Sequence, residues 1–483
     1  MWRTWLIGVC CVVLVNSMHA QRYAGGPLVY PEKLREDLEL MRELVHGSHP
    51  DPYRYCTHGE LDRLFDAVRD SLRVPMRTDE FQAMLLPVFQ RIGDANTYPD
   101  LDVATATAMR SRAGVLPLKV RVIEEGLYVE EEMKGFRSLP PGSRIVSIND
   151  RSAASILDRL GRLAITDGAN NTLRWKLVER DLPWLFLRAY GEVPTFRLLI
   201  VTPDGERKEV EFFAMTGREM DLARKPDTNV HPWHSEWETS SGTLWVTMPT
   251  MDNATLEASG QDASHFIADM LKDLKQNNAK NLVLDIRGAG GRELAMAELV
   301  FASIASAPFR VIQGMTVRGA APPDANGILE PQPEHYASVA ENYIPDANGN
   351  ASLRPDDDRL VPVQPQPKAF DGGVYVVCDG ATRDAAAALV MLAKRTGRAR
   401  IVGEETGTNA YSFTGGRELV ATMPSSGLRL HVPLVRYLPD GEPTGPADKG
   451  ELPHHSAQQQ PWGVARGRDT VRLSLLQLII ALQ

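Results

Sequence analysis

Two short apolar runs in the second half of the chain, Leu282 to Ile286 and Val374 to Cys378, each open into a glycine-bearing turn and then into a helical pattern. Runs of this length suit buried strands better than helices. The helical patterns after them are Glu293 to about Ser306 and Asp384 to Arg395. A third run, Leu244 to Met248, precedes an amphipathic stretch, Ala263 to Lys275, with Phe266, Ile267, Met270, Leu271 and Leu274 on one face. A fourth strand is expected at Arg400 to Gly403. Strands that are apolar on both faces and alternate with helices imply an α/β core whose sheet is covered on both sides.

Upstream the texture differs. From Glu32 to about Ile92 apolar residues recur every three to four positions, as in Leu34, Leu38, Met41 and Val45, and again in Leu61, Leu64, Phe65, Val68 and Leu72; this predicts a helical N-terminal domain over 21–113. Residues 114–215 carry short alternating runs around a helical middle, Ser152 to Leu187, and predict an α+β domain. Within it Leu139 to Asp150, LPPGSRIVSIND, resembles the part of PDZ domains where a glycine-led turn opens a strand. Residues 216–241 read as a linker, and 242–483 as the α/β domain. That domain carries a long loop, 318–372, in which the pentapeptide PDANG occurs at Pro323 to Gly327 and at Pro345 to Gly349. Both copies are turn chemistry.

Residues 1–20 place Arg3 before an apolar stretch, Trp5 to Val15, and end on small and polar residues before Gln21. The pattern is that of a secretory signal, too short to span a bilayer of about 20 apolar residues, so a periplasmic or extracellular protein without membrane insertion is expected. The net charge of −9 and the lack of a basic block give no footprint for nucleic acid. Cys10 and Cys11 leave with the signal, and Cys56 and Cys378 either pair or stay as core thiols. His231 and His234 have metal-ligand spacing but no third ligand nearby, and read as loop residues. No metal and no cofactor are expected.

Chemistry is expected where the two buried strands end. Asp285-Ile-Arg-Gly-Ala-Gly-Gly291 and Asp379-Gly-Ala-Thr-Arg-Asp384-Ala bring backbone N–H groups together and suit an oxyanion hole. The order of elements, with LVLDIRGAGG, VYVVCDGATRDAAAAL and GEETGTN, resembles the tail-specific serine peptidases and the tricorn core, whose α/β domain has a ClpP/crotonase-like fold. The resemblance assigns the oxyanion hole to Gly290, Gly291 and Ala385, the nucleophile position to Asp384, and the base position to Asn96 in Gly93-Asp-Ala-Asn-Thr97. The lysine base of other members falls near Asn409, and a family glutamate is replaced by Ala387. Acyl transfer needs a polarisable hydroxyl with a base in reach, so the resemblance implies a pseudoenzyme that binds peptide or unfolded polypeptide. The alternative is an active hydrolase with a rearranged site using Asp384 or Glu405. For Asp384 alone a helix N-cap is a sufficient reading, for Asn96 a turn, and for Glu404 and Glu405 a solvated face.

Overall fold

The computed structural model describes residues 26–133, 139–223, 231–319, 321, 323 and 327–482. The expected export signal, part of the expected linker and most of the first PDANG copy lie outside them. Three helices open the described chain, Pro31–Ser48, His58–Ser71 and Thr78–Ile92. Each start is encoded locally: Pro31 sits in the first helical turn, and Thr57 and Glu60 exchange hydrogen bonds as a capping box. The third helix stops at Gly93, in the left-handed conformation that glycine adopts without steric cost.

Leu34, Leu38, Met41, Phe65 and Phe89 of these helices join one hydrophobic cluster with Leu284, Val376 and Leu430 of the C-terminal half. The N-terminal helices therefore complete the core of the α/β domain and have no separate interior. Residues 116–212 do have their own. Strands Leu118–Ile123, Gly126–Glu132, Arg144–Ile148, Thr195–Val201 and Arg207–Phe213 form an antiparallel sheet in that order. Helices Ala153–Gly161 and Asn171–Tyr190 supply Ile156, Leu160, Val178, Leu182 and Phe186 to the same core.

The central sheet runs His234–Glu238, Thr243–Thr247, Asn281–Asp285, Gly373–Cys378, Arg400–Gly403, His455–Ser456. The first pair is antiparallel and the others parallel. Alternation along the strands sends Val246, Leu284, Val376 and Ile401 to one face. Helices Ala263–Gln276, Leu294–Ala302 and Asp384–Arg395 cover it through Ile267, Val300 and Leu389. Trp245, Val283, Tyr375, Val377 and Val402 point to the other face and meet Val471, Leu475 and Ile479 of helix Thr470–Ala481. Two-sided burial is why these strands read as continuous apolar runs.

A second sheet has the order Tyr343–Pro345, Asn350–Leu353, Ile312–Arg318, Arg429–Pro439, Phe413–Thr422, and the short strand Tyr98–Asp100 also pairs with Arg429–Pro439. Two expectations are corrected here. The stretch 318–372 is not a bare loop: it holds helix Pro333–Asn342 and a hairpin whose turn is the second PDANG copy. There the Asp346 carboxylate accepts from the backbone N–H groups of Asn348 and Asn350. The stretch 216–241 is not only a linker: it contributes helix Gly217–Ala223 and the edge strand His234–Glu238. Trp233, buried and donating from Nε1 to the Thr250 carbonyl, anchors that strand, so His234 lies in the sheet and not in a loop. Cys56 and Cys378 are buried free thiols. Among the described residues no helix is long and apolar enough to cross a membrane.

Helix Thr470–Ala481 supplies the main cover of the second sheet face, so Leu475→Ala is expected to cost about 2–5 kcal/mol. Leu473→Ala, on an exposed position of the same helix, should stay within about 0.5 kcal/mol; urea unfolding followed by circular dichroism distinguishes them.

Candidate functional site

The carboxyl ends of strands Asn281–Asp285 and Gly373–Cys378 are adjacent, because the two strands pair in parallel. The turns that leave them are stitched together. Arg383 N–H donates to the Ala289 carbonyl at 2.8 Å, and Ala385 N–H to the Gly291 carbonyl at 3.0 Å. The Thr382 hydroxyl donates to the Ile286 carbonyl. Arg287 forms a fork to Asp285 and reaches Asp469, which holds the first turn from below. At Gly291 a Cβ would sit 2.3 Å from the Met251 carbonyl oxygen, so only glycine fits. Gly290 has open space where a side chain would be, and neither its N–H nor that of Gly291 has a partner among the described residues.

Between the two turns lies Asp384, with φ of +53°. The other non-glycine residues with positive φ, Glu124, Glu125, Asn149, Asp150 and Asn278, stand in hairpin turns or just past a helix end. Among the described residues Asp384 alone takes this conformation at the start of a helix. The N-cap position belongs to Arg383, whose carbonyl accepts from Ala386 and Ala387. The capping role read for Asp384 from sequence is thus corrected: its side chain turns away from the helix into a cavity of about 690 Å³.

Asn96 meets it there. Its Nδ2 donates to Asp384 Oδ1 at 3.2 Å and to the Thr414 carbonyl at 2.9 Å. The Asp384 N–H donates to Thr408 Oγ1. Asn96 is placed by what surrounds it: strand Tyr98–Asp100 is paired to Arg429–Pro439, and the Asp94 carboxylate accepts from the Asn96 N–H. Asp94 also accepts from the Thr414 hydroxyl and from His49 Nε2 at 2.7 Å. His49 Nδ1 accepts from the Asp51 N–H, which leaves the ring proton on Nε2. Burial works to raise the Asp94 pKa, but these donors together bring it below the ordinary value. Burial raises that of Asp384, against Arg383 and Asn96.

The cavity lies where three parts of the chain meet. Leu86, Tyr98 and Met109 come from the N-terminal part; Leu163, Leu177, Trp184 and Arg188 from the middle part; Gly290, Arg292, Arg383, Gly415 and Arg417 from the α/β domain. Asp384, Asn96, Gly290 and Gly291 all line it. Other expected site residues do not. The Ala385 N–H is taken by Gly291, which removes it from an oxyanion hole. Glu405 accepts from the Gly450 N–H and lies near Lys449. Glu404 pairs with the buried ammonium of Lys176 at 3.3 Å, so neither glutamate is a solvated face. Asn409 is fully buried and bonds to Arg54, Tyr55 and the Ala447 carbonyl. Thr382 and Ala387 are buried beneath the wall.

Sequence reasoning missed the far wall. Arg292 pairs with Glu418 at 2.6 Å; Glu418 also faces His431, whose ring stacks on Tyr98. Gly415 and Gly416 were the available signal, since paired glycines inside a strand mark a bulge, and the register of Phe413–Thr422 does shift between Gly415 and Glu418.

Residues 243–447 match the family described as peptidase family S41. Among solved structures, mature CPAF aligns with a TM-score of 0.65 at 14% identity, over 93% of this chain and 98% of that one. Mature CPAF complexed with lactacystin aligns with a TM-score of 0.66 at 13% identity, over 94% and 98%. At such identities the likeness shows the fold. No curated protein matches the sequence.

Asp167 lies behind the site, where its carboxylate accepts from the Asn409 N–H and the Tyr55 hydroxyl. Burial, with the neighbouring Asp94 charge, pushes its pKa from 3.8 to about 7. The folded state then holds a proton that the unfolded chain releases near its ordinary value, so this group's contribution falls as pH rises from about 4 to about 7. Asp167→Asn is expected to flatten the decline of stability across that window, read from denaturant midpoints at a series of pH values.

Proposed function

We propose that this chain, whose residues 243–447 match peptidase family S41, is a catalytically impaired member of that family that binds peptide or unfolded polypeptide in the cavity beside Asp384. One observation carries the reading: the described residues that line the cavity include no Ser, Thr, Cys, His or Lys. Nucleophilic acyl transfer requires such a group with a base within about 3 Å. The Asp384 carboxylate faces an amide, Asn96 Nδ2, which donates a hydrogen bond and removes no proton. A carboxylate attacking a peptide bond would have to form an anhydride while expelling an amine, which is an unfavourable exchange.

Binding is supported by what the cavity retains. The unpaired N–H groups of Gly290 and Gly291 are donors for a peptide carbonyl. The edge of strand Phe413–Thr422 is closed near Val420 and Thr422 by residues 328–330, which bond to it; at Gly415 to Glu418 it lines the cavity. That segment suits the addition of an extended chain as a further strand.

Wild-type protein is expected to resist labelling by a serine-directed fluorophosphonate while binding a fluorescent, reduced and carboxymethylated polypeptide saturably. Gly290→Leu, at a position where a Cβ meets no atom within 4 Å, should weaken that binding by about tenfold or more, equal to about 1.4 kcal/mol. Phosphonate labelling, or unaltered binding by the variant, overturns the proposal.

A second reading, a hydrolase of a non-peptide substrate that uses Asp384 as an acid or base, is favoured by the left-handed backbone at that residue, because strain of this kind concentrates at functional sites. Glu405, turned toward Gly450, is not available to it. Loss of any turnover in Asp384→Ala supports this reading; unchanged turnover sinks it.

Export rests on the pattern of residues 1–20. The protein recovered from cells is expected to begin at Gln21, and an intact Met1 on protein from the cytoplasmic fraction overturns that proposal.

A further inference from the structure

The junction of helices Pro31–Ser48 and His58–Ser71 brings together three side chains unrelated to the cavity. His46 comes from the last turn of the first helix, and His58 and Asp62 from the start of the second. One ligand atom of each lies within 4.8 Å of the others. His58 and Asp62 are four residues apart on a helix, which places them on the same face, and His58 Nδ1 is 2.8 Å from Asp62 Oδ2. His46 Nε2 is 3.2 Å from Asp62 Oδ1, yet it is buried and has no well-aligned hydrogen-bond partner among the described residues. The two imidazoles lie almost parallel, 4.7 Å apart.

The surroundings orient this cluster as ligands are oriented. His46 Nδ1 is 2.7 Å from the Tyr53 hydroxyl; in the tautomer that donates to that oxygen, Nε2 carries the lone pair a metal ion would take. Metal-bound histidines are fixed by such a partner on the other ring nitrogen. Arg42 donates to Asp62 Oδ1 from Nε and Nη2, which leaves Oδ2 for His58 or for an ion. The Arg42 charge is itself offset by Asp66 at 3.1 Å and Glu39 at 3.5 Å, as well as by Asp62.

We propose that His46 Nε2, His58 Nδ1 and Asp62 Oδ2 bind a zinc ion that fastens the end of the first helix to the start of the second. Two imidazoles and a carboxylate, at bonds of about 2.0–2.2 Å with a fourth position left to water, are a zinc ligand set; magnesium and calcium prefer all-oxygen shells. His58 is 62% exposed, so its ring has room on the solvent side to turn and complete the site. The ion would close the segment 49–57. That segment carries Arg54, which bonds to Asn409, and His49, which bonds to Asp94, the carboxylate that accepts from the Asn96 N–H; the site thus supports Asn96 through His49 without touching the cavity.

The full chain, stripped with a chelator and titrated with zinc sulfate in a calorimeter, is expected to show one saturable site and a melting temperature raised by a few degrees. His58→Ala and His58→Gln, at an exposed position, should fold normally and weaken zinc at least about tenfold. His265→Ala, at another exposed histidine, should leave binding unchanged, and magnesium and calcium should show none. No saturable zinc binding by the wild type, or equal binding by both His58 variants, overturns the proposal.

Discussion

The site depends on the pair of hydrogen bonds that lay the glycine turn 289–291 against the start of the helix Asp384–Arg395. The bonds from Arg383 and Ala385 leave Asp384 between two anchored neighbours, and its backbone there is left-handed. In that conformation its carboxylate points into the cavity and cannot cap the helix behind it. The same bonds consume the Ala385 N–H and leave the Gly290 and Gly291 N–H groups unengaged. One constraint therefore decides which backbone donors face the cavity and which side chain faces them.

Its strength comes from the sheet beneath. Both turns leave strands buried on two faces, with Leu284 and Val376 packed against the helices of one side and Val283, Tyr375 and Val377 against helix Thr470–Ala481 on the other. Shifting either turn would break a register fixed by those side chains. The opposite wall is held differently, by charge and polar contacts: Arg292 with Glu418, Glu418 with His431, and Asp94 with His49, Thr414 and Asn96. Asp94, His49 and Thr414 are buried and satisfy one another in a way that rigidifies a structure. Asn96 and Asp384 are thus positioned from two independent supports, a parallel sheet and a polar cluster.

The short apolar runs and the glycines after them were enough to read the α/β core, the N-terminal helices and the two junctions, because strand length, helical period and turn chemistry are local properties. Asp384 and Asn96 were also legible as a pair, through the resemblance of their segments to a family. Ala385 was misread, since whether an N–H is free depends on the carbonyl that approaches it. Glu404 and Glu405 were misread in role for a similar reason. Their partners Lys176 and Gly450 come from other parts of the chain, and a pattern along the sequence carries no trace of such distant pairings.

The sequence by itself determined the kinds of element and the residue types that follow each buried strand, among them the glycines after Asn281–Asp285 and the aspartate after Gly373–Cys378. That follows from chemistry written at single positions. The tertiary structure alone decided that Asp384 leaves its helix to face Asn96, that three parts of the chain enclose the cavity, and that His46, His58 and Asp62 converge. These are long-range juxtapositions, set by the packing of the helices and by the pairing of Tyr98–Asp100 with a strand more than three hundred residues away. Packing acts on surfaces that exist only once the chain has folded.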